Sequence, residues 1–409
     1  MNFKCIHISD VHFRGLKRHD EYITVFKNLF KKAKELKPNI IFIGGDIVHS
    51  KTQGISPEII DILTWWFKSL AAIAPTHIIL GNHDGLILNE NRQDAITPII
   101  NAIDNPDLFL YKKSGVYPTG IDGFNWCVFS CFDEEGWKNV KPIENEINIA
   151  CFHGGVLGSL TDTDWNINGE VALSFFDGYD FGFLGDIHKV QYLDDEKRIA
   201  YPGSTIQQNY GEDIKKGFLY WEIDSKYNYN STFYSIENPN PFVTIDWKNS
   251  IQETILFAKV VKNNCKFRVR HKNNISQAEI KILHEYLKED KNAKEIVYQK
   301  INAPSKKIDT EDSDNEIKFN IRSESDRVKL LSDYFYEEEE SFINEVNNLY
   351  RKQLDKIPSD KFIYNNKKWS INNMNFENTF GYGKNNYINF NNLSGIVGIF
   401  GNNRCGKSS

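Results

Sequence analysis

Residues 39–50 read NIIFIGGDIVHS, an apolar run that ends in Gly-Gly-Asp. The apolar residues predict a buried β-strand, and the glycines with Asp46 predict a loop at its carboxyl end. A similar pattern precedes it in FKCIHISD (residues 3–10) and follows it in THIILGNHD (residues 76–84), with helix-periodic stretches between the strands. Strands that alternate with helices predict an α/β fold in which helices cover a sheet.

Three later apolar runs end in the same way. FNWCVFSCF (residues 124–132), EINIACFHGG (146–155) and DFGFLGDIH (180–188) are predicted strands, and most lead into loops rich in Gly, Asp or His. Functional side chains of α/β proteins commonly lie on loops at strand ends. The candidate site is therefore expected where these strands end.

The remainder of the chain divides by composition and periodicity. We expect a large α/β domain, a small α/β cap, an acidic linker, a helical segment and a β-rich terminal unit, at residues 1–245, 246–302, 303–323, 324–358 and 367–409 respectively. In the cap, a helix is predicted from Ser276 to Asp290, because Ser276 and Glu279 have the spacing of a capping box.

Bulk properties restrict the class of protein. The 409 residues are 40% hydrophobic and 25% charged, which is typical of a soluble protein with several domains. Mean hydropathy is −0.49, no apolar run is long enough to cross a bilayer, and the start of the chain lacks a signal-peptide layout. The six scattered cysteines favour buried thiols in a reducing compartment. We expect a cytoplasmic protein, or a nuclear one if it is eukaryotic, that is neither secreted nor associated with a membrane.

The net charge of −6 is unevenly distributed. Residues 309–345 alone carry −9, which leaves +3 on the remainder. The overall charge therefore does not argue against a nucleic-acid partner.

Five short motifs at predicted strand ends combine carboxylates, amides and imidazoles. They contain Asp10 and His12, Asp46 and His49, Asn82, His83 and Asp84, His153, and Asp186 and His188. Each motif alone is weak, but together they hold five of the ten histidines. Carboxylates and imidazoles without thiolates suit Mn, Fe or Zn, and oxygen-rich sites favour Mn or Mg.

This set of donors can serve phosphate-ester hydrolysis. Two metal ions about 3.5–4 Å apart need a bridging carboxylate and ligands from several strand ends. Asp46, on the middle predicted strand, is the natural bridge. His83, next to Asp84, is interpreted as an imidazole that is held by a carboxylate and donates a proton or stabilises charge.

The ordered set D-x-H, G-D, G-N-H-D, H-G and G-D-I-H resembles the calcineurin-like metallophosphoesterases over residues 1–245. Within them, His49, the segment YPGSTIQQNYGE (residues 201–212) and the small cap are most similar to the SbcD-type DNA double-strand-break repair nucleases. The resemblance implies a two-sheet sandwich flanked by helices, and a dinuclear nuclease that acts as a homodimer at the ends of double-stranded DNA.

The resemblance also implies residue roles. One metal ion would be held by Asp10, His12, Asp46 and His188, and the other by Asp46, Asn82, His153 and Asp186. His83 would stabilise the transition state, and His49 would act near the leaving group. Asp186 stands where the family usually has His, which favours Mn²⁺ or Mg²⁺ further if it binds metal. The alternative is a weakened second site.

The cap contains a basic alternating strand, KFRVRHK. Lys266, Arg268, Arg270 and Lys272 are candidate contacts to DNA phosphates. A solvated strand face explains the same pattern equally well.

The terminal stretch GIVGIFGNNRCGKSS (residues 395–409) fits a phosphate-binding loop that follows a strand. The nucleotide-binding candidates are Gly401, Asn403, Gly406, Lys407 and Ser408, which would hold ATP and Mg²⁺. Residues 367–409 resemble the start of SbcC-type ABC/SMC ATPases, although Arg404 replaces the usual Gly. We expect the chain to be a fragment of a nuclease–ATPase fusion, and the helix at 324–358 to bind the ATPase or to serve as a linker.

Two other functions remain open. The first is another calcineurin-like phosphoesterase, such as a phosphatase or a cyclic-nucleotide phosphodiesterase, although the phosphoprotein phosphatases typically have G-N-H-E where this chain has G-N-H-D. The second is a DNA-end scaffold without catalysis, for which Asp186 is the only argument.

Overall fold

The computed structural model describes residues 3–49, 55–87, 92–169, 171–272, 275–301, 328, 340–354, 371–377 and 384–392. The nucleotide-binding candidates at 401–408 and the linker at 303–323 lie outside these residues. The chain divides into two units, and the larger contains all described residues from 3 to 301.

Two six-stranded sheets form the centre of the larger unit, which confirms the predicted sandwich. The first has the order β12-β11-β1-β2-β3-β4, with β1 Phe3–Ile8, β2 Ile40–Ile43, β3 Thr76–Ile79, β4 Leu108–Tyr111, β11 Gly217–Ser225 and β12 Asn228–Ser235. The second has the order β5-β6-β7-β8-β10-β9, with β5 Gly115–Pro118, β6 Phe124–Phe129, β7 Ile147–His153, β8 Phe181–Gly185, β9 Gln191–Tyr192 and β10 Ile199–Tyr201.

Both sheets have parallel centres. Strands β1 to β4 are parallel in the first sheet, and β6, β7, β8 and β10 are parallel in the second. Parallel strands buried on both faces read as continuous apolar runs, which is why Ile-Ile-Phe-Ile of β2 is buried throughout. The carboxyl ends of parallel neighbours share one edge of a sheet, so the loops that follow them lie together.

Apolar side chains of the two sheets meet face to face. Phe42 of β2 stacks against Trp126 of β6, with ring centroids 5.0 Å apart, and Phe183 of β8 lies against Trp221 of β11 at 4.9 Å. All four belong to one buried cluster between the sheets. His7 is buried there and donates to the carbonyl of Leu184, as expected for a core histidine.

Helices cover the outer face of the first sheet. They are α1 His19–Leu36, α2 Pro57–Ala71 and α3 Thr97–Ile103. Their apolar faces join the sheet in a second buried cluster that includes Phe26 and Trp66. Trp66 is fully buried and Trp65 packs against Phe30, so this tryptophan pair belongs to the core side of the helix.

The cap is a three-stranded parallel sheet with two helices. Its order is β13-β14-β15, with β13 Phe242–Asp246, β14 Lys266–His271, β15 Glu295–Lys300, α4 Ile251–Lys259 and α5 Gln277–Glu289. Helix α5 begins in the predicted capping box of Ser276 and Glu279. The sequence missed β13, so the cap sheet starts at Phe242 rather than after residue 245. The reason is that β13 is short and follows β12 across only a brief turn.

Three elements are described beyond the cap. Helix α6 (Glu340–Leu354) lies within the predicted helical segment, and Phe342 and Leu349 on it are exposed. Strands β16 (Asn373–Phe376) and β17 (Asn386–Asn389) pair as a two-stranded sheet in the predicted β-rich region. None of the described helices combines the length and the apolar character needed to cross a membrane. The five described cysteines are buried.

Candidate metal centre

The predicted ligands lie where parallel strands of both sheets end. Asp10 and Asp46 follow β1 and β2, His153 is the last residue of β7, and Asp186 follows β8. A hydrogen bond joins the two sheets at this edge, since His153 Nδ1 donates to the carbonyl of Gly44 over 2.6 Å. The edge therefore brings together motifs that are up to 176 positions apart in the chain.

Four of these residues have a backbone conformation that L-amino acids rarely adopt. The φ angles of Asp10, His12, Asp46 and Asp186 are 54°, 51°, 52° and 98°. Such positions cost on the order of 1–3 kcal/mol each and concentrate at functional sites. The local turns aim the side chains away from the strand direction and towards a common point.

The Asp46 side chain lies at the place where these side chains converge. Its Oδ2 is 3.6 Å from His12 Nε2, and its Oδ1 is 3.3 Å from His153 Nε2. The side chain is buried, so both oxygens are withheld from bulk water. A carboxylate whose two oxygens face different imidazoles has an arrangement compatible with the bridging role proposed for Asp46.

His12, His188 and Asp10 form a group on one side of Asp46. The Nε2 atoms of His12 and His188 are 3.0 Å apart, and each is 3.9 Å from Asp10 Oδ1. Two facing imidazole nitrogens hold at most one proton between them. Converging nitrogens and a buried carboxylate fit a divalent cation, and the ligand atoms of this group all lie within 4.8 Å of one another.

His153, Asp186 and Asn82 lie on the other side. Asp186 Oδ1 is 3.8 Å from His153 Nε2 and accepts a hydrogen bond from Asn82 Nδ2 over 3.0 Å. The backbone N–H of Asp186 donates to the Asp10 carboxylate over 3.1 Å. The Asp186 carboxylate thus lies beside His153 and Asn82, and its role as a ligand stays a prediction.

The charges of this site compensate one another. Burial alone lowers the pKa of His153, but Asp46 reverses this and raises that pKa to about 10. Burial likewise opposes protonation of His188, but its hydrogen bond to Glu212 raises its pKa to about 9. Burial would raise the pKa of Asp46, yet His153 holds it below the usual range. Without a cation, the pocket therefore retains protons, which a divalent cation replaces when it binds.

The roles predicted for His83 and Asp84 need correction. Asp84 does not hold the His83 ring, because its carboxylate accepts the backbone N–H groups of Ile47, Val48 and Gly81 at 2.8–3.0 Å. His83 Nδ1 donates instead to the carbonyl of His49 over 2.6 Å, which directs its other nitrogen towards the group of His12 and Asp46. Asp84 is therefore a positioning residue. Burial first, then Asp46, raises its pKa to about 7.

His49 is half-buried at the same edge. Its ring stacks near that of His83, with centroids 6.1 Å apart, and lies 5.6 Å from His12. Burial, and then the charge of Arg14, lowers the pKa of His49 to about 4. The ring thus lies beside His12 and His83, and its role near the leaving group stays a prediction.

Glu212 also belongs to the site, although it lies outside the five sequence motifs. Its Oε1 accepts from His188 Nδ1 over 2.8 Å, and its Oε2 accepts from the Gln208 backbone over 2.8 Å. This contact fixes the His188 ring with Nε2 towards the site, as an outer partner of a metal-binding histidine does. The only sequence signal is that Glu212 ends the stretch YPGSTIQQNYGE.

Close packing explains one glycine of the G-N-H-D motif. A Cβ on Gly81 would lie 2.2 Å from Asp46 Oδ1 and 2.6 Å from His153 Cε1. Any side chain there would displace the bridging carboxylate. The motif therefore needs glycine for space.

The basic strand of the cap does not form a uniform DNA-facing surface. Lys266 is buried in an ion pair with Glu21 and donates to the carbonyl of Asn240, so its predicted contact with DNA is wrong. Arg268 donates to Thr244 and to the Tyr210 carbonyl.

Two basic residues of that strand face solvent. Arg270 pairs with Asp246 over 2.8 Å, and both side chains are partly exposed. Lys272 is exposed beside a cavity of about 750 Å³ that Arg270 and Lys248 also line. For Arg270 and Lys272, contact with DNA phosphates therefore stays a prediction.

Comparison with known proteins agrees with this geometry. Residues 3–190 match the family described as calcineurin-like phosphoesterases. The chain is 35% identical to the uncharacterized protein R555 of Acanthamoeba polyphaga mimivirus over 98% of its own length, and spans 31% of that relative. It is 27% identical to protein 244L of Invertebrate iridescent virus 6, which is named provisionally as a phosphoesterase, over 53% of this chain and 75% of that protein.

The matched residues contain every strand end that contributes to the centre around Asp46. Members of the family use divalent metal ions, and the buried groups of imidazoles and carboxylates fit such ions. Residues 3–190 therefore form a domain of the calcineurin-like phosphoesterase type at the amino-terminal side of the chain.

Proposed function

We propose that this phosphoesterase is a nuclease that hydrolyses phosphodiester bonds at the ends of double-stranded DNA and uses two divalent cations, Mn²⁺ in preference to Mg²⁺. The observation that carries the metal chemistry is the Asp46 carboxylate, whose oxygens face His12 and His153 separately. Oxygen-rich donors, with Asp186 in place of an imidazole, favour hard cations. One ion would be held by Asp10, His12, Asp46 and His188, and the other by Asp46, Asn82, His153 and Asp186.

Each group of residues has a defined part in the reaction. The cations, when bound, supply positive charge to the phosphate and make water a better nucleophile. His83, fixed through Nδ1 by the His49 carbonyl, presents Nε2 to the phosphate or its leaving oxygen and can donate a proton there. Asp84 keeps the loop after β3 in place through three backbone N–H groups.

The cap supports a polymeric substrate over a small phosphate ester. It is joined to the catalytic edge by Gln207, whose side chain exchanges two hydrogen bonds with the backbone of Phe242 in β13. Gln207 lies in the segment that also carries Glu212, the partner of His188. A rigid second domain beside the centre offers DNA a further surface, which includes Lys272.

A DNA-processing role also suggests a partner. The sequence pattern at residues 401–408 and the resemblance of residues 367–409 support an SbcC-like ATPase as that partner, either in the same chain or as a separate subunit. This association and the homodimer remain proposals that rest on the sequence.

Incubation with Mn²⁺ and end-labelled duplex DNA tests the nuclease function. We expect shortening from the ends that is abolished in His83→Ser and Asp10→Ala. His284→Ser, a change at an exposed histidine of α5, is the matched control and should cut normally. Hydrolysis of a phosphomonoester without cleavage of DNA would favour a phosphatase. DNA binding without either reaction would favour the scaffold.

A further inference from the structure

An exposed tryptophan lies on a loop beside the metal centre. Trp165 is 74% exposed, although indole side chains are usually covered. Trp165 belongs to none of the five motifs, so the sequence motifs do not explain why it is exposed. Its backbone is ordered by two hydrogen bonds with Thr161, one in each direction, at 3.0 and 3.1 Å.

The loop that carries Trp165 is fixed relative to the metal centre. Asp162 accepts two hydrogen bonds from the buried ammonium of Lys216, at 2.9 and 3.1 Å. The same ammonium donates to the carbonyl of His188 over 2.7 Å. A second ion pair joins Asp164 to Lys189, directly after His188. The loop backbone that carries Trp165 is therefore tied to the residues around His188, a predicted metal ligand.

Between this loop and the centre is an open cavity of about 320 Å³. Thr161 and Asp162 line it on one side, Asn209 and Glu212 on the other, and Asp186 and His188 complete it. This volume is at the lower end of the range for small-molecule sites, which suits one nucleoside. A substrate residue in the cavity would touch both the metal centre and the loop.

The charge of the cavity indicates which part of DNA it receives. Carboxylates of Asp162, Asp186 and Glu212 line it. The positive groups that face this lining, Lys216 and His188, are already paired with Asp162 and Glu212. The lining therefore disfavours a phosphate that is not bound to a metal ion, but it does not disfavour an uncharged base. An exposed indole provides the flat apolar surface on which any base can stack.

We propose that Trp165 is a substrate-binding residue that stacks on an unpaired base of the DNA strand whose phosphate occupies the metal centre. This inference rests on the proposed nuclease function and extends it to substrate choice. It commits the enzyme to strand ends in which at least one base is unpaired, since a base inside a duplex has no free face for the indole.

The test compares single-stranded oligonucleotides with otherwise identical strands that lack bases. Wild type, Trp165→Ala, Trp165→Phe and Tyr227→Ala are assayed with Mn²⁺. Tyr227 is the matched control, because it is 84% exposed on the distant turn between β11 and β12. We expect Trp165→Ala to raise KM about tenfold on the normal strand with little change in kcat, and Trp165→Phe and Tyr227→Ala to resemble wild type.

On the abasic strand, wild type and Trp165→Ala should have the same KM. Equal KM values on the normal strand, or an equal defect on both strands, would overturn the proposal. If wild type cuts no DNA, the nuclease function fails, and stacking is then judged by fluorescence in the presence of a chelator. Quenching by the normal strand that disappears in Trp165→Phe supports stacking, and its absence in wild type refutes it.

Discussion

The metal centre and strand β14 of the cap are both clusters of polar side chains, yet their side chains make different kinds of contact. At the centre, residues from different strands turn their polar atoms towards one another, so that His12 and His188 face at 3.0 Å. On β14, basic residues face partners inside the protein, such as Glu21 for Lys266. Imidazoles and carboxylates from several strands that converge on one point indicate a cation site, whereas basic residues that pair with acidic ones inside the protein indicate a structural role.

Removal of the Asp46 carboxylate is expected to have the largest effect, and it tests the interpretation of the metal centre. Asp46→Asn keeps the size of the side chain but replaces an anionic oxygen with an N–H donor. We expect phosphodiesterase activity with Mn²⁺ to fall at least a thousandfold, about 4 kcal/mol of transition-state stabilisation. The measurement is hydrolysis of bis(p-nitrophenyl) phosphate.

Asp224→Asn is the control for that experiment, because Asp224 contacts Asn228 near an exposed turn far along β11. It should leave activity unchanged. Activity of Asp46→Asn within tenfold of wild type would show that the carboxylate does not bridge two ions.

Glu212→Gln tests whether the outer partner of His188 contributes to the centre. The amide has only one acceptor oxygen, but Glu212 serves donors on both oxygens, including His188 and Gln208. We expect the Kd for Mn²⁺ to rise about 10–100-fold, with the fold retained. Calorimetric titration with Mn²⁺ measures the affinity, and thermal unfolding checks the fold.

Glu295→Gln provides the comparison, since Glu295 accepts a hydrogen bond from the Tyr210 hydroxyl on the exposed edge of the cap. Unchanged affinity in both variants would reduce Glu212 to a purely structural residue.

The pH dependence of stability distinguishes a site built for a cation from one built for protons. The pKa of His188 is raised to about 9 in the folded protein, against about 6.5 when unfolded. A group whose pKa is higher in the folded protein stabilises the folded state fully at pH values below its unfolded-state pKa. This contribution is lost as the pH rises through the folded-state pKa. Between about pH 6 and pH 8.5, the free energy of unfolding of metal-free protein should fall by about 2 kcal/mol from this residue.

Saturating Mn²⁺ should remove most of that slope, because the cation then occupies the position of the proton. Urea unfolding at both pH values, with Mn²⁺ and with a chelator, gives the comparison. A slope that is the same in both conditions would contradict a cation site at His188.

Sequence patterns predicted the centre better than its supports, for a physical reason. Strand ends in a parallel sheet must share an edge, so Asp10 and Asp46 could be placed together from their motifs alone. His153 ends a strand of the other sheet and joins them because the two sheets pack together. Glu212 could not, because its contact with His188 depends on how a 24-residue connection folds back. Adjacency misled the interpretation of Asp84, since the turn after β3 sends its side chain away from that of His83.

The same limit applies to the cap. Alternation on β14 predicted a strand correctly, because alternation reports on backbone geometry. It could not show which side of the strand meets the phosphoesterase domain. That side contains Lys266, whose partner Glu21 is 245 positions away in α1.

The smallest predicted effect concerns the basic residues of the cap. It distinguishes an exposed lysine, Lys272, from a buried and paired one, Lys266. Lys272→Ala should weaken binding of duplex DNA only two- to threefold and lower the salt dependence of binding by about one unit, because an exposed ammonium neutralises one phosphate. Lys266→Met should leave that salt dependence unchanged but destabilise the fold by about 2 kcal/mol, because it leaves the buried Glu21 with Arg18 as its remaining cation. Fluorescence anisotropy at several salt concentrations and urea unfolding measure the two quantities. If Lys266→Met reduced the salt dependence and Lys272→Ala did not, the cap would have to bind DNA with its inner side, and it would have to separate from α1 to do so.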